Sequence, residues 1–208
     1  MRIVKEAQER RNEILDVAEH LFMKKGFDGT STNDILQAVG IARGTLYYHF
    51  KSKEDIMDAL IDRMSENLLK KARISADDRA ISVHERLISV ILAIKLKETD
   101  DNEFMEHIHK PQNALMHQKI QKTMISGITP ILTDVVQDGI QQGLFHTLYA
   151  YEAVEMMVVY LNTIFDNDLF ELTEEETGIK MQAFLFNVGR LLQIDPENLD
   201  FLREAFGA

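Results

Sequence analysis

The sequence has no cysteine, and its 208 residues include three prolines. The first absence excludes a disulfide framework, a thiolate metal site and a cysteine nucleophile, and suits a reducing cytoplasm. The scarcity of proline, with ten methionines and 45% hydrophobic residues, favours a helical class with a sizeable core over one built on sheets. Long apolar runs are also missing: no stretch approaches the roughly 18 residues of a membrane span. The chain opens MRIVKEAQERR, charged where a signal peptide needs an apolar centre. Neither secretion nor membrane insertion is expected, and the location implied is the cytoplasm. There is no P-loop, GxSxG, HExxH or dinucleotide fingerprint, and no enzymatic activity is expected.

Positive charge is scarce overall, with a net charge of −11, which taken alone argues against a nucleic-acid partner. Its distribution reverses that reading. Residues 1–53 hold nine Lys or Arg against seven acids, an excess of two, so the rest of the chain carries −13. A mildly basic head on an acidic body orients itself toward phosphate.

The head has three helical patterns. Ile14, Val17, Ala18, Leu21 and Phe22 recur at three and four between charges, an amphipathic helix over Glu6 to Lys25 that Gly26 can cap. Ser31 and Asp34 have the spacing of a capping box, so a second helix starts there and carries Ile35, Leu36 and Val39 to Gly40. A third opens at Ala42 or Arg43 and runs to about His49. Two short helices around a Gly turn, the second polar on its outer face, describe a helix-turn-helix. Arg43 can donate to both acceptors of a guanine, and Thr45 can meet a phosphate or a thymine methyl. Tyr47, Tyr48 and His49 suit phosphate and sugar contacts that fix register. Gly44 lets the helix approach the groove, and Lys53 falls in the first turn of a following helix that Ser52 and Asp55 cap, a favourable place for phosphate.

The stretch FDGTSTNDILQAVGIARGTLYYHFKSKEDI resembles the signature of the tetracycline-repressor (TetR/AcrR-like) family of bacterial transcriptional regulators, over about the first 60 residues. The resemblance implies an all-α chain. It has a TetR-type helix-turn-helix DNA-binding domain over residues 1–51, then a helical effector-binding and dimerisation domain over 52–208. By match to the family pattern, Thr32, Asn33, Arg43, Gly44, Thr45, Tyr47, Tyr48, His49 and Lys53 occupy DNA-facing positions, while Leu46 and Phe50 belong to the core. Asn33 departs from members that place a base-reading Arg there.

The body reads as about six helices with short connections, a bundle. A long amphipathic helix from Ser52 carries Ile56, Leu60, Met64 and Leu68 to about Arg73. It stops before the polar patch Ala76-Asp77-Asp78 and is the covalent route from head to body. Others are expected over Val83 to Lys97, Glu103 to Lys110, Gln112 to Gln142 with a kink at Gly127 and Pro130, Ala150 to Leu169, Thr173 to Leu192, and from Asp195-Pro196.

Two late helices look too apolar for a monomer surface. Val154, Met157, Val158, Leu161 and Phe165 on one, with Ile179, Phe184, Leu185, Val188 and Leu192 on the other, are expected to form a two-fold dimer interface, as the family's late helices usually do. Phe104, Met105, Met116, Met124 and Tyr160 are the candidate walls of a pocket below the helix from Ser52, Met-rich and suited to a largely apolar effector. Ordinary core packing is the competing reading for each. His107, His109 and His117 with Glu103 and Glu106 invite a metal, but they do not share one helical face, and no metal or cofactor is expected.

The function implied is a ligand-responsive repressor that binds an inverted-repeat, double-stranded operator as a homodimer. The alternatives are a metal-dependent helical-bundle enzyme, for which Glu106 and His109 supply one of the two Glu-x-x-His pairs a di-iron site needs, and an interaction module whose head has lost DNA binding.

Overall fold

The computed structural model describes residues 2–94, 111–166 and 169–194, with side chains from Glu6 onward, and every long element is an α-helix. In order these are α1 (Arg2–Lys25), α2 (Thr32–Val39), α3 (Arg43–His49), α4 (Lys53–Asp77), α5 (Val83–Ile94), α6 (Ala114–Gln141), α7 (Ala150–Ile164) and α8 (Glu174–Leu191). A 3-10 turn, Pro111–Asn113, precedes α6. The helices expected over Glu103 to Lys110 and from Asp195 lie outside the described residues.

The chain divides into two compact units, Met1–Ser65 with Lys97–Gln121, and Glu66–Leu96 with Lys122–Ala208. Helices α4 and α6 each begin in the first and finish in the second.

Capping side chains fix the starts. Ser31 and Asp34 form the expected capping box at α2, as do Thr173 and Glu176 at α8. The Ser52 hydroxyl accepts from the Asp55 N–H at 3.1 Å, and Ser82 with Glu85 does the same for α5. Gly26, at φ 80°, ends α1 and sends its N–H to the Phe22 carbonyl at 2.9 Å; Phe27 then folds back edge-on to Phe22. These caps satisfy backbone groups that a helix terminus otherwise leaves unpaired.

In the first unit, Ile14, Leu15, Ala18 and Phe22 of α1 meet Ile35, Leu46, Phe50 and the first turns of α4 in one core. This unit takes in more chain than residues 1–51. The buried Asn113 side chain accepts the Phe27 N–H at 2.7 Å, Lys119 donates to Asp58, and Met116 is buried in the same core.

In the second unit, α4 runs four residues beyond its expected end at Arg73 because a distant residue caps it. Arg86, 2% exposed, reaches from α5 to the Ala76 carbonyl through Nε at 2.7 Å and again through Nη2, and its Nη1 pairs with Asp138 of α6 at 2.8 Å. Arg73 pairs with Asp134 of α6 at 2.6 Å. Gly127, expected to interrupt α6, instead leaves room for Leu69: a Cβ there would lie under 3.0 Å from its methyls. The helix continues through Pro130, with the Thr129 hydroxyl bonded to the Ile125 carbonyl at 2.7 Å one turn earlier.

Candidate nucleic-acid interface and interior cavity

Helix α3 is too short to stand alone and is held by two apolar residues on one side. Leu46 within it and Phe50 at its end are buried in the first unit's core. A helix repeats every 3.6 residues, so anchoring 46 turns 44 and 48 to the opposite side, leaves 47 on the flank, and puts 43 at the helix's open first residue. Arg43, Gly44, Tyr47 and Tyr48 are indeed exposed, Tyr48 at 78%. Thr45 and His49 are half-buried at the flanks. A side chain added at Gly44 would meet nothing, so the surface there is open to close approach.

Asn33, exposed on α2, accepts from the Arg43 guanidinium at 3.3 Å, bringing two of the expected residues together. Thr32, the first residue of α2, is half-buried beside them. The box beneath is tied to α1: Lys25 Nζ donates to Asp34 at 2.6 Å. That bond, then those with Ser31, hold the Asp34 carboxyl well below the usual carboxylate range. His49 stands edge-on to Tyr48, ring centroids 4.9 Å apart. Burial first, then the charges of Arg11 and Arg10, push its imidazole below the ordinary value of 6.5.

Lys53 opens α4. Its ammonium donates to the Phe27 carbonyl at 2.7 Å and lies 4.2 Å from the Phe27 ring centroid. Its long stem reaches back to the turn after α1, so it fastens that turn with one of its three donors.

The second unit holds a partly open cavity of about 380 Å³, within the range of small-molecule sites. Leu87, Ile91 and Ile94 of α5 and Ile128, Leu132 and Val136 of α6 form two walls. From α7 come Val154, Met157, Val158, Leu161 and Asn162, with Phe165 beyond its end, and Met181, Phe184, Val188 and Leu192 close the space from the C-terminal side. Among these lining residues only Asn162 has a polar side chain, and its amide donates to the Val158 carbonyl at 2.9 Å.

The cavity therefore lies among α5 to α8, and the expected pocket residues do not line it. Met116 is in the first unit's core, Met124 is half-buried away from the lining, and Tyr160 stacks behind the wall on Phe184, centroids 5.6 Å apart. Phe104 and Met105 lie outside the described residues, as do His107 and His109. The described residues contain no cluster of three His or carboxylate side chains placed to hold a metal ion.

Most of the residues expected at a dimer interface line the cavity instead. Of the ten, Val154, Val158, Phe184, Leu185, Val188 and Leu192 are buried within their own chain, Met157, Leu161 and Phe165 are half-buried in the cavity wall, and Ile179 alone is exposed. Both helices have a second apolar stripe facing outward: Met156 (61% exposed) and Val159 on α7, Ile179 (60%) and Phe186 (64%) on α8. Only Ile179 of these was among the expected interface residues.

A family profile described as bacterial regulatory proteins, tetR family, matches residues 14–60, and one described as tetracyclin repressor-like, C-terminal domain, matches 97–186. The chain belongs to the TetR family. It is a TetR-family transcriptional regulator with a DNA-binding domain, and its all-α fold is the TetR fold. Among its relatives, the HTH-type transcriptional regulator TtgR of Pseudomonas putida is 28% identical over 172 residues, covering 77% of this chain and 80% of that protein. The HTH-type transcriptional regulator AcrR of Shigella flexneri is 43% identical over 63 residues, 30% of this chain and 29% of its own. In fold, the chain is similar to the fatty acid degradation regulator FadR from Bacillus halodurans, with a TM-score of 0.62, 20% identity, and coverage of 86% of this chain and 95% of that one. These relatives are named as regulators, and among the described residues no helix is long and apolar enough to cross a membrane.

Proposed function

We propose that this TetR-family regulator is a cytoplasmic repressor that binds an inverted-repeat operator as a homodimer and releases it when an apolar effector fills the cavity. The observation that carries the reading is the division of α3, with Leu46 and Phe50 in the core and Arg43, Gly44, Tyr47 and Tyr48 presented together. In this reading Arg43, braced by Asn33, reads a guanine. Thr32, Thr45, Tyr47, Tyr48 and His49 position the helix against the backbone, and Lys53 contributes by holding the turn before α2.

The apolar lining supports an effector that is largely hydrocarbon, with at most one polar group to meet Asn162. The outward stripe of Met156, Val159, Ile179 and Phe186 supports a self-complementary contact across a two-fold axis. Two α3 helices in successive major grooves would then sit about 34–36 Å apart. The effector acts only through its differential affinity for the DNA-bound and free conformers.

Footprinting on the DNA beside its own gene tests this. A protected inverted repeat, lost for Arg43→Ala while random-sequence binding persists, is the expected result. Failure to protect any inverted repeat at moderate salt would sink the proposal.

A further inference from the structure

The charged surface beside the reading helix does not end with α3. Arg11, on α1, lies over the ring of Phe50, its guanidinium carbon 4.9 Å from the ring centroid. Phe50 ends α3, so the contact fixes a cation at the C-terminal end of that helix, where the dipole favours one. A cation–π contact of this kind does not use up the N–H donors of a guanidinium. Arg10, one residue earlier, is drawn to Glu13 at 2.5 Å, whereas Arg11 forms no ion pair among the described residues. His49, half-buried on the same side, feels both cations.

The docking geometry says what this corner faces. In a helix-turn-helix the first residues of the reading helix meet the base edges. His49 is six residues beyond Arg43, about 9 Å along the helix axis, and the major groove is about 12 Å wide. With Arg43 at the bases, the far end of α3 is carried to the phosphate wall of the groove.

We propose that the DNA-contact surface continues from the end of α3 onto α1, with Arg11 a phosphate ligand held in place by Phe50 and flanked by His49. The inference rests on the DNA-binding reading above and adds a contact from outside the helix-turn-helix. It makes Phe50 a support for the bound cation as well as a core residue.

Binding of wild type, Arg11→Gln and Arg11→Lys is measured on the footprinted fragment and on a random-sequence duplex between about 50 and 200 mM salt. For Arg11→Gln we expect a similar fold-loss of affinity on both DNAs, and a slope of log K against log salt shallower by about 0.9, one phosphate contact. Arg11→Lys keeps the charge and should keep the slope. Far-UV circular dichroism and a thermal melt show whether each variant is folded at the assay temperature. An unchanged slope for Arg11→Gln, with or without weaker binding, would overturn the proposal, because support for Phe50 alone changes affinity without changing the number of ions released. Wild-type protein that binds neither DNA sinks the DNA-binding reading itself; wild-type binding with an unaltered Arg11→Gln slope sinks only this extension.

Discussion

Replacing Arg86 with methionine removes a charge and its donors while keeping the length of the side chain, so little cavity is opened. In the native second unit the guanidinium joins three helices, bonding the Ala76 carbonyl near the end of α4 from α5 and pairing with Asp138 of α6. The Ala76 carbonyl belongs to the last turn of α4, where no helical N–H is available; stranding it costs about 1–3 kcal/mol. Removing one member of a buried charge pair costs about 3–5 kcal/mol. Asp138 keeps its contact to Arg79, but that side chain is 61% exposed and compensates weakly. With the pair term reduced to about 2–3 kcal/mol because Arg79 still faces Asp138, the total expected is about 3–6 kcal/mol, the larger share from the weakly compensated carboxylate. Urea denaturation followed by circular dichroism measures it as a shift in the midpoint of the second unit's transition. Adding Asp138→Leu to Arg86→Met should recover more than half of the loss, since the orphaned charge is then gone. A loss under about 1 kcal/mol for Arg86→Met, the size of an ordinary surface ion pair, would refute the reasoning.

Acid should loosen the head through Asp34. Its folded carboxyl is held below the ordinary value of 3.8, so the stability it contributes is present above that pH and is lost as pH falls through the lower folded value. The gap between melts of wild type and Asp34→Asn should therefore be constant well above pH 3.8 and shrink as pH falls below it, and a gap that does not change with pH would exclude the box as the cause. Gly139→Ala places a Cβ under 3.0 Å from the buried Phe145 ring. The overpacking, about 1–3 kcal/mol, should exceed the roughly 1 kcal/mol of helix propensity gained, and a melting temperature that rises would contradict the packing described. Phe186→Glu should convert a dimer to a monomer in sedimentation without loss of helix content; an unchanged dimer would remove the outward stripe as the interface.

Much of the head was legible because its signals are local. Ser31 and Asp34 are three residues apart, Gly26 and Gly40 sit where left-handed caps are needed, and Leu46 and Phe50 are apolar residues four apart, with Tyr48 on the side opposite Leu46. The body resisted where a contact comes from far along the chain. Nothing near Arg73 announces that Arg86 will cap Ala76, and nothing near Gly127 announces Leu69. The bond from Lys53 to the Phe27 carbonyl is equally silent in the local sequence, because its acceptor is 26 residues away. The lining of the cavity was hidden for a different reason. Helices α7 and α8 are apolar on two stripes, and periodicity gives the spacing of a stripe without saying which one turns inward.

Those two-striped helices leave little freedom for change. On α7, Val154, Val158 and Leu161 shape the space inside while Met156 and Val159 shape the surface outside, so Glu152 and Glu155 are the positions in that stretch without an apolar task. A lineage that altered what the cavity accepts would be confined to a few lining positions, and each replacement would shift a helix that also has a fixed outer contour. The taste for a new effector and the geometry of the outer face would therefore tend to drift together.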